Sequence, residues 1–310
     1  MYLETVNKIC DDVFNGKPTE IIRNTVGLAG YVYTVVFNDT KYVIKISDDK
    51  NLIIGSTYWL NKVKDLDIPT PCVIAENLVN APYYFVMSFI PGKDLGLVYS
   101  SLSKNEKNII AKKIIGFQKE IKKLPMAKGF GSLNSYEDSE NICSSWEESL
   151  LNDINRAEEA IINNGIFSVE YVLKLKKIVP YFKEYFNSIK PVPFLDDITT
   201  KNVLINEGKL SGIIDLDWIS FGDEVLFLGL VTMALLSMKA DIDYADYLKD
   251  EMKLNEMQER ALKFYVLMFC VIFMSEKGMC FNQAEPMKVS EEEKMLLQEI
   301  FNRYYEELEL

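Results

Sequence analysis

The chain has 310 residues, of which 48% are hydrophobic and 26% charged, a composition that allows one large core or two moderate ones and excludes a disordered or fibrous protein. Its 34 basic and 46 acidic side chains give a net charge of -12, which argues against nucleic acid or an anionic membrane as the main partner. That acidity either serves solubility alone or steers a cationic ligand towards the protein.

The residue types that are missing limit the chemistry. The chain contains no histidine, so a proton acceptor must be a carboxylate, lysine, tyrosine or thiol. Its 5 cysteines show no CxxC spacing, which predicts reduced thiols in a cytoplasmic protein rather than disulfides or a zinc site. The first residues lack the pattern of a signal peptide, and the longest uncharged run, residues 225–238, is shorter than the roughly 18 apolar residues that a membrane span needs. We therefore expect a buried core helix there and no membrane partner, while the oligomeric state is not predicted.

Short β-rich runs dominate the first part of the chain. Residues 31–37, 41–46 and 83–89 are rich in valine, isoleucine, tyrosine and phenylalanine, which predicts strands of a small sheet. Residues 38–40 form a hairpin-length connection between the first two strands. Between the second and third strands, apolar side chains at helical spacing predict a helix in residues 51–66.

Beyond residue 92 the pattern becomes mainly helical. The first two of three predicted helices open with serine, a residue type that is favoured at the N-cap, and a further helix with a solvated acidic face is predicted at the end of the chain. These helices are expected in residues 103–124, 144–164, 168–189 and 291–310. The chain is thus predicted to have an α+β fold with two lobes, residues 1–90 and residues 91–310.

The stretch DDITTKNVLINEGKLSGIIDLD, residues 196–217, inserts a predicted β-hairpin into the helical part. Two β runs, at 202–205 and 210–215, flank a turn centred on Gly208 and Lys209. Because antiparallel partners lie symmetrically about a turn, the hairpin is expected to bring its first residue, an asparagine, opposite its last, an aspartate.

Asn202 and Asp215 are those two residues, and Asp197 lies on the loop that enters the hairpin. Two carboxylates and an amide oxygen around one pocket suit an Mg²⁺ ion beside a general base. A solvated acidic turn with unrelated aspartates is the alternative interpretation, since short motifs are frequent by chance.

The order Asp197, four residues, Asn202, twelve residues, Asp215 resembles the catalytic loop and metal-binding aspartate of the protein-kinase-like fold in aminoglycoside phosphotransferases and related small-molecule kinases. The resemblance covers residues 26 to about 230, with VIKI, a helix followed by IPTP and the hinge-like FVMSFIPG in the matching order. It implies a bilobal fold with a small antiparallel-sheet N-lobe that binds nucleotide and a larger, mainly helical C-lobe that carries the catalytic loop and the substrate site.

The resemblance implies a role for each of these side chains. Asp197 would accept or orient the proton of an acceptor hydroxyl, while Asn202 and Asp215 would hold Mg²⁺ on the phosphates of ATP or GTP. Lys45, in VIKI, would contact the α and β phosphates. An exposed lysine at a strand end is the alternative interpretation of Lys45.

The resemblance also implies contacts for the rest of the nucleotide. The hinge would hydrogen-bond the base through the carbonyl of Ser88 and the amide of Ile90, with Met87 behind the base. Ala29 and Gly30 are small residues where a backbone must approach phosphates. Plain core packing for Met87 and an ordinary turn for GLAG are the alternatives.

Two further aspartates lie close to this hairpin in sequence. Asp217 is expected to orient its own loop or to face the substrate, the first being the plainer interpretation. Asp223, followed by Glu224, occupies the place of a GDP-like segment of the family, where the resemblance implies an aspartate that braces the loop.

Three positions depart from the family's pattern. Leu195 stands where the family has a histidine two residues before the catalytic aspartate, and Gln118 stands where it has a second histidine. Ile53 stands where it has a glutamate that pairs with the lysine, and residues 51–64 contain no acid at all. Lys45 must therefore be steadied by another group, by Asp215 or by the nucleotide.

Two functions follow from these residues. The resemblance implies an ATP- or GTP-dependent kinase that phosphorylates a hydroxyl of a small, cationic, aminoglycoside-like acceptor. The acidic composition also favours a cationic acceptor. The alternative is a degenerate kinase fold that binds nucleotide or a partner without catalysis, which Ile53 and Leu195 would explain.

Overall fold

The structure is a computed structural model that describes residues 2–24, 30–280 and 286–308. Its first part is an antiparallel sheet of five strands in the order β1-β2-β3-β5-β4, flanked by two helices. In chain order these elements are α1 (Leu3–Phe14), β1 (Glu20–Asn24), β2 (Tyr31–Phe37), β3 (Thr40–Ser47), α2 (Asn51–Val63), β4 (Val73–Asn77) and β5 (Tyr83–Ser88). Asn38 and Asp39 join β2 to β3 with φ angles of 48° and 61°, the left-handed pair that a two-residue hairpin requires.

The alternation of side chains along β3 decides where its lysine lies. Ile44 and Ile46 point into a small core beneath α1, which also contains Val6 and Ile9 of that helix. Since successive strand residues point to opposite faces, Lys45 lies on the other face of the sheet, towards α2 and the helical part. The strand thus presents the ammonium group of Lys45 to the space between the two parts of the molecule.

The remainder of the chain is mainly helical and packs around one large core. Its helices are α3 (Leu95–Val98), α4 (Lys104–Ile121), α5 (Trp146–Asn164), α6 (Glu170–Ile178), α7 (Lys183–Ser188), α8 (Val225–Ser237), α9 (Asp243–Met252), α10 (Glu256–Glu276) and α11 (Glu291–Glu306). The helix expected at 225–238 is confirmed as buried α8, which packs against α10. Among the described residues, no helix is both long and apolar enough to cross a membrane.

Six short strands form two three-stranded sheets within the helical part, in the orders β10-β9-β6 and β7-β11-β8. These strands are β6 (Lys93–Asp94), β7 (Gly131–Leu133), β8 (Pro193–Phe194), β9 (Val203–Asn206), β10 (Lys209–Ile213) and β11 (Ile219–Phe221). The loop between β8 and β9 and the loop between β10 and β11 therefore start from different sheets and meet beside β9.

The α+β prediction is confirmed, as are the three predicted strands and the helices that start after Ser103 and Ser145. The single helix predicted over 168–189 is wrong: it is divided into α6, a 3₁₀ turn (Val179–Phe182) and α7. Pro180 explains the break, because proline removes a main-chain donor and its ring clashes with the preceding turn.

The predicted hairpin of β9 and β10 exists, but its register differs by one residue. The turn is centred on Glu207 and Gly208, and an irregularity at Ser211 lies between the paired residues Leu210 and Gly212. From that turn alone Ile213 would lie opposite Asn202, and the bulge moves the partner to Ile214, whose amide donates a hydrogen bond to the carbonyl of Asn202. The predicted partner, Asp215, is off by one residue because the turn lies one residue earlier than expected, which shifts the pairing by two residues, and the bulge restores one of them.

Candidate active site

Two loops meet at the candidate site. We call residues 195–202 the catalytic loop and residues 214–218 the aspartate loop. Asn202 joins them: its main-chain carbonyl accepts a hydrogen bond of 3.0 Å from the amide of Ile214, and its side-chain amide donates one of 3.0 Å to the carbonyl of Asp197. A small cavity lined by residues 195–198 and 213–218 lies between the loops, so that Asp197 and Asp215 border the same space.

Asp197 is a carboxylate with an environment suited to a base. It is partly buried, and its Oδ1 accepts a hydrogen bond of 3.1 Å from the Thr199 hydroxyl. Burial raises the pKa of Asp197, and the neighbouring charges of Asp196 and Asp215 raise it further, to about 6. A carboxylate with a pKa close to the working pH combines the deprotonated state with useful proton affinity, which is what general-base catalysis needs.

The raised pKa of Asp197 predicts a pH-dependent stability in metal-free protein. Because the folded-state pKa of about 6 exceeds the ordinary aspartate pKa of 3.8, ionisation of this carboxyl costs stability as pH rises through that window. Asp197→Asn should therefore have a higher free energy of unfolding than the parent at about pH 7.5, by about 2 kcal/mol, with the gap closing near pH 4. Chelator-treated protein unfolded with urea at the two pH values would measure this. An equal difference at both pH values would contradict it.

Asp196 joins the two loops through side-chain hydrogen bonds. Its Oδ2 accepts from the indole of Trp218 and the hydroxyl of Ser220, each at 2.8 Å, and its Oδ1 accepts from the amide of Asp197 at 2.9 Å. Sequence reasoning missed this residue, and the only signal was the doubled Asp196–Asp197. The contacts fix the catalytic loop at the residue directly before the candidate base.

Gln118 of α4 supports the position where the family has a histidine. Its side-chain amide donates to the carbonyl of Leu195 at 2.7 Å, and its side-chain carbonyl accepts from the amide of Leu195 at 2.9 Å. Gln118 and Leu195 are both buried. A glutamine can thus hold the catalytic loop by its main chain, which does not require a side-chain partner at position 195.

Lys45 reaches the aspartate loop from β3. Its Nζ lies 2.6 and 2.7 Å from the two carboxylate oxygens of Asp217 and 3.2 Å from Oδ1 of Asp215. Burial alone would lower the pKa of Lys45, but the charges of Asp217 and Asp215 outweigh it and the pKa lies above its ordinary value. The lysine is therefore buried and paired, unlike an exposed strand-end lysine. Asp217, which was expected to orient its own loop or to face the substrate, contacts this lysine.

Helix α2, beside Lys45, has no acid at the position where the family has one, but it carries a serine hydroxyl one turn further on. Ile53 is fully buried in the large core and offers no polar group. Ser56, one helical turn later, donates a short hydrogen bond from its hydroxyl to Asp217. The helix thus contacts the lysine's carboxylate partner, not the lysine itself.

The small residue at the start of β2 lies against the same lysine. Gly30 has a φ of +70°, which favours glycine, and a Cβ built on it would be 3.6 Å from the Cε of Lys45. The predicted phosphate-binding backbone thus ends beside the ammonium group. Ala29, the other residue predicted there, lies outside the described residues.

The predicted hinge residues lie at the end of β5 and just beyond it. Met87 pairs with Val43 of β3 and packs on the large core. The Ser88 hydroxyl accepts a hydrogen bond of 2.9 Å from the amide of Cys72. Ile90 packs against Gly212 of β10, where an added Cβ would be 2.7 Å from it. The segment therefore connects the five-stranded sheet to the hairpin that carries the aspartate loop.

Asp223 lies behind the aspartate loop at the start of α8. Its Oδ2 accepts hydrogen bonds from the hydroxyls of Tyr185 and Tyr265, at 2.6 and 2.7 Å, and its Oδ1 accepts from the amide of Val225 at 3.1 Å. Burial raises the pKa of Asp223 despite these hydrogen bonds. The geometry suits a brace and keeps this carboxylate away from solvent.

Asn202 and Asp215 offer a donor set that fits Mg²⁺. The amide nitrogen of Asn202 is used internally, which leaves its side-chain oxygen as the ligand atom, and the Asp215 side chain is 51% exposed. Within the described residues no group of three or more acidic or thiol side chains could hold a metal alone. Mg²⁺ in phosphoryl-transfer sites is bound by one or two carboxylates together with substrate phosphates and water, so two protein oxygens suffice.

Comparison with solved structures identifies the fold. An apo thermostable mutant of aminoglycoside phosphotransferase APH(4)-Ia shares 12% identity over 98% of this chain and 97% of its own, with a TM-score of 0.67. ADP-bound APH(2'')-Ib shares 15% over 99% of both chains at 0.66, and the gentamicin complex of APH(2'')-IIa shares 16% over 99% and 96% at 0.67. At these identities the likeness establishes the bilobal kinase-like fold. Comparison with curated protein sequences gives no significant match.

A family profile matches most of the chain and not only the residues of the candidate site. It is the profile of the phosphotransferase enzyme family, and it covers residues 20–251, which include β1 to β11, the catalytic loop and the aspartate loop. That range spans well over half of the 310 residues. The chain belongs to the phosphotransferase enzyme family.

Proposed function

We propose that this phosphotransferase moves the γ-phosphoryl group of ATP or GTP to a hydroxyl of a small cationic acceptor. The main support for the proposal is that Asp197, Asn202 and Asp215 lie together on adjoining loops. Lys45 approaches them from the sheet, with its Nζ 3.2 Å from Oδ1 of Asp215. Phosphoryl transfer needs little covalent help from a protein, and positioning with charge neutralisation supplies most of the catalysis.

Each side chain would contribute one part of that positioning. Asp197 would accept the acceptor hydroxyl's proton as the new P–O bond forms, consistent with its raised pKa. Asn202 and Asp215 would hold Mg²⁺, which neutralises charge on the nucleotide phosphates. The ammonium group of Lys45, buried and fixed at its other side, would bind phosphate oxygens as a point charge.

The donor nucleotide would bind along the edge of the sheet. Ser88 and Ile90 would meet the base through main-chain groups with Met87 behind it, and the small residues Ala29 and Gly30 would approach the phosphates. The position of Gly30 against Lys45 supports this arrangement, because it brings main chain and ammonium to the same place. Solved structures of similar fold contain adenine nucleotides, such as the ADP bound to APH(2'')-Ib. GTP remains the second donor to be tested.

The acceptor class is proposed from charge and from relatives. The net charge of -12 favours a cation. Solved structures of similar fold bind hygromycin B, gentamicin and streptomycin. We therefore propose an aminoglycoside or a smaller hydroxylated amine as acceptor.

The alternative of a non-catalytic binding protein was based on Ile53 and Leu195, and both positions are compensated by other contacts. Leu195 is held by Gln118, and Lys45 has a buried carboxylate partner despite Ile53. The proposal takes residues 1–90 as the nucleotide-binding lobe and residues 91–310 as the lobe that completes the acceptor site. We also propose a cytoplasmic location, which the 5 cysteines without disulfides among the described residues support.

The test of this proposal is a turnover panel. Purified protein is given ATP or GTP, with Mg²⁺ or with chelator, and hygromycin B, gentamicin, streptomycin or amino alcohols; mass spectrometry detects a phosphorylated product. We expect a phosphorylated product from at least one hydroxylated amine, only with Mg²⁺ present. Nucleotide binding without turnover on every acceptor would instead support the non-catalytic alternative.

A further inference from the structure

The lysine of this site is held by an unusual partner. Between Asn51 and Val63 helix α2 contains no acidic residue, so it cannot supply a carboxylate to Lys45. The carboxylate that does reach the ammonium group comes from the aspartate loop, 172 residues further along the chain. Phosphoryl transfer requires a fixed cation on the phosphates, so this loop must take over the anchoring.

Two aspartates touch Lys45, and the geometry separates them. Asp217 grips the ammonium with both oxygens, at 2.6 and 2.7 Å, and its side chain is 13% exposed. Asp215 makes one contact of 3.2 Å and its side chain is 51% exposed. The shielded bidentate contact fixes the lysine more strongly, while the open carboxylate of Asp215 keeps an oxygen for another ligand.

The helix is built to come close to Asp217. Ser56 donates its hydroxyl hydrogen to the Asp217 carboxylate. A Cβ added at Gly55 would lie only 1.9 Å from the main-chain carbonyl oxygen of Asp217, so any side chain there would push helix and loop apart. Glycine inside a helix is less stable than alanine, and the close approach to the loop explains its presence.

We propose that Asp217 is the positioning residue that anchors Lys45, with Gly55 and Ser56 holding Asp217 in place, so that Asp215 is left to the metal. The inference deepens the proposed phosphoryl-transfer function and rests on it. Asp217 acts through Lys45 and does not itself touch the nucleotide. In related proteins a helix supplies the carboxylate that pairs with this lysine, whereas here the aspartate loop supplies it.

The first test needs neither nucleotide nor acceptor, so it stays informative if the proposed function fails. In protein with ¹⁵N-labelled lysine, the Lys45 ammonium gives an NMR signal only when it is held and protected from exchange; Lys45→Met assigns it. We expect the signal in the parent and in Asp215→Asn, and its loss in Asp217→Asn. Persistence in Asp217→Asn, or loss in Asp215→Asn alone, would overturn the proposal.

The second test separates anchoring from metal binding. In chelator, the nucleotide dissociation constant measured by calorimetry should rise about tenfold in Asp217→Asn. The Mg²⁺ concentration for half-maximal turnover should stay unchanged in that variant. A changed Mg²⁺ requirement with unchanged metal-free affinity would make Asp217 a metal ligand instead, and a lowered melting temperature with neither change would make it merely structural.

A carboxylate moved to the helix provides the rescue. In an Asp217→Ala background, Ser56→Glu should recover most of the lost nucleotide affinity in chelator, whereas the matched Ser56→Gln should not, because only the glutamate restores the charge facing Lys45. Circular dichroism establishes that each variant is folded. Equal recovery by both substitutions, or by neither in folded protein, counts against anchoring by charge.

Discussion

Asp197→Asn is expected to lower the rate of phosphoryl transfer by about 10²–10⁴-fold, the usual contribution of a positioned general base. The asparagine keeps the shape of the side chain and can still interact with the Thr199 hydroxyl, so the loop should stay in place. Nucleotide affinity should change little, because the base faces the acceptor and not the phosphates. Initial rates at saturating acceptor, with affinities from calorimetry, measure both quantities.

Glu207→Gln is the matched control for that substitution. It removes one carboxylate from the exposed turn of the hairpin that follows the catalytic loop, away from the two loops of the site. Its rate should equal that of the parent. If the rate of Asp197→Asn is less than about fivefold below that of the parent, Asp197 is not the general base, since the loss of a general base lowers the rate far more than that.

Asp223→Ala is expected to produce the largest loss of stability, about 3–5 kcal/mol in the free energy of unfolding. Asp223 is 5% exposed and accepts hydrogen bonds from Tyr185 and Tyr265. The Tyr265 hydroxyl in turn accepts from the indole of Trp146 at 2.8 Å. Removing the carboxylate leaves buried hydroxyl donors without an acceptor and a cavity beside them.

Urea denaturation at pH 7 measures that loss, with Asp65→Ala as the control. Asp65 is an exposed aspartate two residues after the end of α2, and its removal should change stability by no more than about 0.5 kcal/mol. If Asp223→Ala costs less than about 1 kcal/mol, the hydrogen bonds to Asp223 do not hold this part of the core.

The sequence was most informative where the signal was local. β-rich composition predicted β2, β3 and β5, and helical periodicity predicted the capped helices, because these signals depend on neighbouring residues. It failed at Pro180, where one residue interrupts an otherwise helical pattern. It also failed in the hairpin, where the turn lies at Glu207 and Gly208 rather than at Gly208 and Lys209, and where no sequence signal marked the bulge at Ser211.

The candidate site shows the same division. Asp197, Asn202 and Asp215 could be grouped because a hairpin brings near neighbours together. The partner of Lys45 could not, since Asp217 is 172 residues away and its approach depends on how α2 packs on the loop. Gln118 is 77 residues from Leu195 and likewise depends on tertiary packing. Contacts of this kind become visible only when the elements are assembled.

The most direct measurement is a crystal structure with Mg²⁺ and a non-hydrolysable nucleoside triphosphate. We expect the ion to be bound by the side-chain oxygens of Asn202 and Asp215 and by phosphate oxygens, with the Lys45 ammonium on the phosphates and Asp197 facing open space beyond the terminal phosphate. A triphosphate bound away from Lys45, or a metal that neither Asn202 nor Asp215 touches, would contradict the account.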